Sequence, residues 1–158
     1  LACSGGTAIA WIAAELWKDR VLQPSRGINA AELVRRAGLR PTRQRIALAE
    51  LLFGDGDRHV TAEILHDEAV RAGQRVSLAT VYNTLHQFKR AGLLREIAIG
   101  GQRAYFDTNT SNHNHYYYES DGTLVDIPSG SIRVEGLPTP PDHLRIAHID
   151  VVVRLVDK

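Results

Sequence analysis

His113 and His115 stand two residues apart in the run SNHNHYYY. Residues two apart on an extended strand point to the same face, so both imidazoles are offered to one place. Two imidazoles on one side can hold a metal ion or supply an axial ligand to haem iron. The same alternation puts Tyr117 on the histidine face and turns Tyr116 and Tyr118 away; all three are expected to be core or dimer-interface aromatics. The chain has a single cysteine, Cys3, which excludes a disulfide framework and any zinc site made of four thiolates. Metal chemistry must therefore rest on His, Asp, Glu and Tyr.

A second set of residues suits a different chemistry. In segment 77–91, Leu78, Val81, Leu85 and Phe88 recur at helical spacing and predict one buried face. The other face carries Ala79, Thr80, Asn83, Gln87 and Arg90, with Tyr82 on its flank. Small residues let a helix approach base edges, Asn pairs with adenine in a bidentate way, and Thr or Tyr adds apolar contact with thymine methyls. Arg40, Arg43 and Arg45, with Gln102 and Arg103 further on, would meet phosphates. The partner expected from this pattern is double-stranded DNA. No HExxH or GxSxG motif is present, so an enzyme is not expected.

Four helices must carry that surface. Segment 29–37 opens on Asn29 and stops at Gly38. Segment 42–53 opens on Thr42 and stops at Gly54, with Ile46, Ala49, Leu52 and Phe53 on one face. Segment 61–72 is capped by Thr61 and stopped by Gly73, and Ser77 caps segment 77–91, which Gly92 ends. The last two helices are joined only by GQRV, a helix-turn-helix signature. Beyond Gly92 the pattern alternates: LLREIAI, Gly100-Gly101 and QRAYFD predict a β-hairpin, the wing of a winged helix. HYYY and TLVDI predict two strands around a turn at 120–122, and 146–156 a final β-branched strand. The stretch 128–144, with Pro128, Pro138, Pro140 and Pro141, is irregular. Helices first and strands second predict an α+β fold, with a boundary near 107–112.

The 158 residues are 44% hydrophobic and 23% charged, the balance of a globular protein in water. No apolar run reaches the roughly 18 residues that span a bilayer. TAIAWIAAELWKDR, near the start, lacks a basic segment ahead of its apolar residues and is not read as a signal peptide. A cytoplasmic protein without membrane contact is expected. The net charge of +1 hides a split: residues 1–103 hold 15 Lys+Arg and 10 Asp+Glu, whereas 104–158 hold 4 and 8. A basic first part suits a polyanion, and an acidic second part a cation or a protein partner.

Several of these segments together resemble one family. GLRPTRQR at 38–45, HVTAEIL at 59–65, SLATVYNTLHQF at 77–88 and AGLL at 91–94 are similar to the ordered motifs of the ferric uptake regulator (Fur) family. The likeness continues through YFD at 105–107, the His-x-His and Gly122 to Asp126, covering about residues 28–158. Within the family the chain most resembles the iron response regulator branch of alphaproteobacteria. Asn83 where most members have Arg, tyrosines after the His-x-His, VDIP at 125–128 and the absence of CxxC pairs all fit that branch. Tyr118 and Asp121 stand where those pairs are found, so the usual structural zinc cannot be built.

The resemblance implies an N-terminal extension at 1–27, a winged-helix DNA-binding domain at 28–107 and a small α/β dimerisation and sensing domain at 108–158. It implies a homodimer on an AT-rich inverted repeat, with Ser77, Ala79, Thr80, Tyr82 and Asn83 at the DNA. It implies a regulator of iron and haem homeostasis with haem as effector at His113 and His115. The competing reading is a manganese, iron or peroxide sensor with Mn2+, Fe2+ or Zn2+ bound. His59, Asp126 and His148 fall at family ligand positions, Asp126 where the family has Glu. Gly100 stands where another Glu ligand is expected, and the companions of His148 are replaced by Asn112 or Asn114 and by Arg133. A site of His59, His115 and Asp126, with His113 nearby, is what the resemblance leaves. Cys3 is followed by Ser4, so the Cys-Pro haem motif of some relatives is absent.

Overall fold

The computed structural model of the chain describes residues 29–100 and 103–158. The expected N-terminal extension, Cys3 and Gln102 lie outside the described residues.

Four helices come first: α1 (Ala30–Arg36), α2 (Arg43–Phe53), α3 (Ala62–Arg71) and α4 (Leu78–Arg90). Each starts where its capping side chain accepts a backbone N–H in the first turn: Asn29 from Glu32, Thr42 from Arg45, Thr61 from Ile64 and Ser77 from Thr80. Gly92 closes α4 in the left-handed region at φ 75°, where a side chain would be strained. Val34, Leu48, Leu52, Leu65, Val81, Leu85 and Phe88 are fully buried and form the helical core. The face of α4 differs from expectation at one turn. Leu78 is 38% exposed, and the buried place is taken by Thr84, whose hydroxyl donates to the carbonyl of Thr80. A Thr that satisfies its own hydroxyl within the helix can be buried there.

Two three-stranded sheets follow from the strands β1 (His59–Val60), β2 (Arg95–Ile97), β3 (Tyr105–Asp107), β4 (Asn114–Tyr118), β5 (Leu124–Ile127) and β6 (Val152–Leu155). The first sheet runs β1-β3-β2, all antiparallel, so the wing hairpin β2–β3 gains a third strand that the sequence reading did not foresee. Ile97 pairs with Tyr105, so the wing loop is longer than a two-residue Gly-Gly turn. The second sheet runs β5-β4-β6, with β5 antiparallel and β6 parallel to β4. The last strand is shorter than the sequence suggests. Residues 146–151 carry no strand pairing in the described sheet, and pairing begins at Val152. The crossover 128–151 carries no helix, so among the described residues every helix lies before the wing and residues 108–158 contribute strands alone. The four prolines there deprive the backbone of donors that either a helix or a ladder would need.

A second apolar cluster joins the sheets. Ile97, Ile99 and Tyr105 of the wing region pack with Leu124 of β5, backed by Tyr117 and Val152. Tyr105 and Tyr117 meet edge to face at 6.0 Å. No described helix is long and apolar enough to cross a membrane.

Candidate metal centre and nucleic-acid interface

Register builds the metal centre. In the first sheet His59 lies directly opposite Asp107, and in the second His115 lies directly opposite Asp126. Cross-strand partners point to the same face, so each sheet offers one His/Asp pair. The apolar contact between the sheets brings the two pairs together, and His113, one residue ahead of β4, closes the group. A ligand atom from each of His59, Asp107, His113, His115 and Asp126 lies within 4.8 Å of the others. Asp126 Oδ1 is 2.9 Å from His59 Nε2, 3.3 Å from His113 Nε2 and 3.6 Å from His115 Nε2. Asp107 Oδ2 is 3.0 Å from His113 Nε2, 3.4 Å from His115 Nε2 and 3.7 Å from His59 Nε2.

The donor set fits a divalent cation. Bonds of about 2.0–2.2 Å to a common centre put neighbouring ligand atoms roughly 3 Å apart, the spacing found here. His59 Nε2, His113 Nε2 and Asp126 Oδ1 are buried without a hydrogen-bond partner, a costly arrangement unless something else satisfies them. Three imidazoles and two carboxylates supply two negative charges, and the mixed nitrogen and oxygen donors suit manganese, iron or zinc.

Local contacts aim the ligands. Asp107 Oδ1 accepts the Asn109 N–H at 2.8 Å, which leaves Oδ2 for the centre. Asn109 Oδ1 accepts from both N–H and hydroxyl of Ser111, and His113 Nδ1 donates to the Ser111 carbonyl at 3.0 Å. A proton on Nδ1 leaves the Nε2 lone pair free for a metal. Burial pushes His59 below its ordinary value, against the pull of Asp107 and Asp126, and so keeps it neutral. Burial alone would raise the Asp107 carboxyl. The hydrogen bond from His115, the Asn109 N–H and the nearby His59 and His113 outweigh it and hold Asp107 low and ionised.

The centre thus takes in four of the five expected ligand residues: His59, His113, His115 and Asp126. His148 stands apart, with Nε2 2.8 Å from Asp150 Oδ1 and accepting from Arg95 Nη2 at 2.8 Å. Asp107 was missed by the sequence reading. It is 1% exposed in a strand whose three residues are all buried. An acid closing so apolar a run as AYFD was the available signal, since a buried carboxylate needs a cation or donors.

On the helical side, Ala79 and Asn83 are exposed along α4, with Thr80 and Tyr82 half-buried beside them. Ser77 serves first as the cap, and its hydroxyl also lies 2.9 Å from that of Thr80. The Tyr82 hydroxyl donates to Glu63 Oε1 at 2.6 Å. That bond lowers the Glu63 carboxyl and raises the Tyr82 phenol. Arg40, Arg43 and Arg103 are exposed. Arg45 is held inward, donating from Nε to Gln87 and from Nη1 to the carbonyl of Arg40. A cleft of about 630 Å³ lined by Thr42, Arg43, Gln44, Gly73, Gln74 and Arg75 adds Arg75 to the basic groups flanking the helix-turn-helix.

A helix-turn-helix with a wing, its wing sheet sharing a His/Asp cluster with a second sheet, defines a winged-helix protein joined to a module with a candidate cation site. The model of the ferric uptake regulator family matches residues 36–148, and the chain belongs to that family. It is 37% identical over 94 residues to the peroxide-responsive repressor PerR of Staphylococcus epidermidis, a match covering 60% of this chain and 62% of that protein. The corresponding Staphylococcus aureus repressor gives the same identity, with 60% and 63% covered. The matched region therefore spans somewhat under two thirds of these curated relatives. Among solved structures, the ferric uptake regulator of Pseudomonas aeruginosa with manganese superposes with a TM-score of 0.62 at 27% identity, covering 82% of this chain and all of that one. The ferric uptake regulator of Vibrio cholerae gives 0.63 at 21% identity, covering 80% and 98%.

Proposed function

We propose that this chain is a metal-responsive, DNA-binding transcription regulator whose effector is a divalent cation bound by His59, Asp107, His113, His115 and Asp126. The observation that carries this reading is the convergence of five ligand atoms within 4.8 Å, with three of them buried and otherwise unpartnered. The centre is drawn from both sheets. A bound cation therefore fixes the second sheet against the sheet that carries the wing, and through it the orientation of α4. Residues 28–107 act as the DNA-binding module and 108–158 as the sensing and dimerisation module. Ala79, Thr80, Tyr82 and Asn83 read bases, and Arg40, Arg43 and Arg103 meet phosphates. Arg45 supports α4 from behind.

Haem was the effector expected from the sequence, at His113 and His115. These two side chains are 5% and 0% exposed, and both Nε2 atoms face carboxylates 3.0–3.6 Å away. That is the setting of a single ion, and it favours a metal as effector over a macrocycle. Peroxide sensing by an iron-loaded centre is a second reading, favoured by the similarity to the staphylococcal peroxide-responsive repressors.

A gel shift on an AT-rich inverted repeat tests the proposal, run with metal-free protein and with Mn2+, Fe2+, Zn2+ or haem. Tight binding that needs a divalent ion is the expected result. Binding indifferent to every metal and released by haem would reject it. Peroxide added to the iron-loaded and manganese-loaded complexes decides the second reading: release of the iron form alone supports it.

A further inference from the structure

Arg95 opens β2 opposite Asp107, on the other side of β3 from His59. Its side chain is only 13% exposed, and the guanidinium meets three acceptors. Nη1 donates to the Ser111 carbonyl at 2.6 Å, and Nη2 donates to His148 Nε2 at 2.8 Å and to Asp150 Oδ1. The Ser111 carbonyl is the same atom that receives the Nδ1 proton of His113. His148 and Asp150 immediately precede β6. One fixed cation therefore joins the wing sheet, the loop that aims His113 and the approach to the last strand. None of these contacts involves the five ligand atoms themselves.

We propose that Arg95 is a positioning residue for the metal centre. Its guanidinium pins the Ser111 carbonyl so that His113 keeps its proton on Nδ1 and presents Nε2 to the cation. It also pairs with the His148–Asp150 group, so a protein cation occupies that acceptor cluster in place of a metal ion. The planar fork matters because Nη1 and Nη2 reach two separate places, the Ser111 carbonyl and the His148–Asp150 pair; a Lys ammonium at the same position is a compact point charge on a flexible stem. The Ser111 carbonyl is the direct partner of a ligand, a position that typically sets about 10–100-fold in affinity, and Arg95 stands one step behind it.

The inference rests on the proposed metal centre, and the test separates the two. Co2+ is titrated into wild type, Arg95→Gln, Arg95→Lys and Asp150→Asn, with binding read by absorption. The His113 tautomer is read in the metal-free proteins by nitrogen-15 NMR, which needs no bound metal. Wild type should bind one Co2+ with His113 protonated on Nδ1. Arg95→Gln should lose about tenfold in affinity, the low end of that range, and show a mixed tautomer, with Arg95→Lys between it and wild type. Asp150→Asn leaves Arg95 in place and should fall in the same direction by less; it carries the test if Arg95→Gln does not fold. A wild type that binds no Co2+ at these residues overturns the metal centre and the inference with it. Arg95→Gln binding within threefold of wild type, with the tautomer unchanged, overturns the inference alone. If Arg95→Gln is unfolded, Asp150→Asn matching wild type in both readings does the same.

Discussion

At the scale of single residues, burial and hydrogen bonding shift two groups of the centre, His59 and Asp107. His59 titrates at 6.5 when exposed, and burial lowers it in the folded chain. Between those two values the unfolded state holds the extra proton, so stability rises with pH there. Asp107, also lowered from its ordinary 3.8, has the same sign at more acidic pH. Metal-free protein should therefore be fully stable above about pH 7 and weaken as pH falls from 6.5, then again below about 4. Denaturant melts across pH check this, and a stability that held flat between pH 7 and 5 would contradict it. Asp107→Asn keeps the shape and the Asn109 contact but removes a charge from the cation. If a group one step removed is worth 10–100-fold, loss of a ligand itself should cost at least about a hundredfold in Mn2+ affinity by calorimetry.

At the scale of elements, strand register and helix face do most of the work. A slip of one residue between β4 and β5 would send Asp126 to the opposite face from His115 and dismantle the centre. Arg58, next to His59, forms a buried ion pair with Glu68 of α3 at 2.6 Å and also donates to the Leu51 carbonyl. This contact ties β1, and so His59, to the helix-turn-helix. Glu68→Ala leaves a buried guanidinium without its counter-charge and should cost about 3–5 kcal/mol in chemical denaturation. On α4, Asn83 is exposed and free to face a groove. Arg favours guanine where Asn favours adenine, so Asn83→Arg should shift the preferred base at one operator position by about 1–3 kcal/mol. Selection from a random inverted-repeat library reads that shift; an unchanged preference would place Asn83 away from the bases.

At the scale of the whole molecule, the second sheet has one face that no described residue covers. Tyr116, Tyr118 and Val125 are 37%, 39% and 43% exposed, and the register sets Tyr116 beside Val125. An apolar sheet face of this kind suits the proposed homodimer. Val125→Asp should shift the sedimentation coefficient from dimer toward monomer without loss of metal binding, whereas a dimer that persists would move the interface elsewhere.

Sequence alone made the four helices legible, with their caps and stops, and the neighbourhoods of five of the six strands, because capping residues, glycines and hydrophobic periods act over a few neighbours. Motif resemblance also singled out four residues that the structure brings together, His59, His113, His115 and Asp126. Tertiary structure alone decided the rest. β1 is only two residues long and exists because β3 pairs with it, so no local pattern announces it. Asp107 joined the candidate centre because two registers and one inter-sheet contact brought it within reach of three imidazoles. His148 was drawn instead to Arg95, 53 residues away in sequence. Arg45, expected at phosphates, also bonds Gln87 across 42 residues. Spacing along the chain reports which face a side chain takes; what that face meets is fixed only when distant strands pair and sheets close on one another.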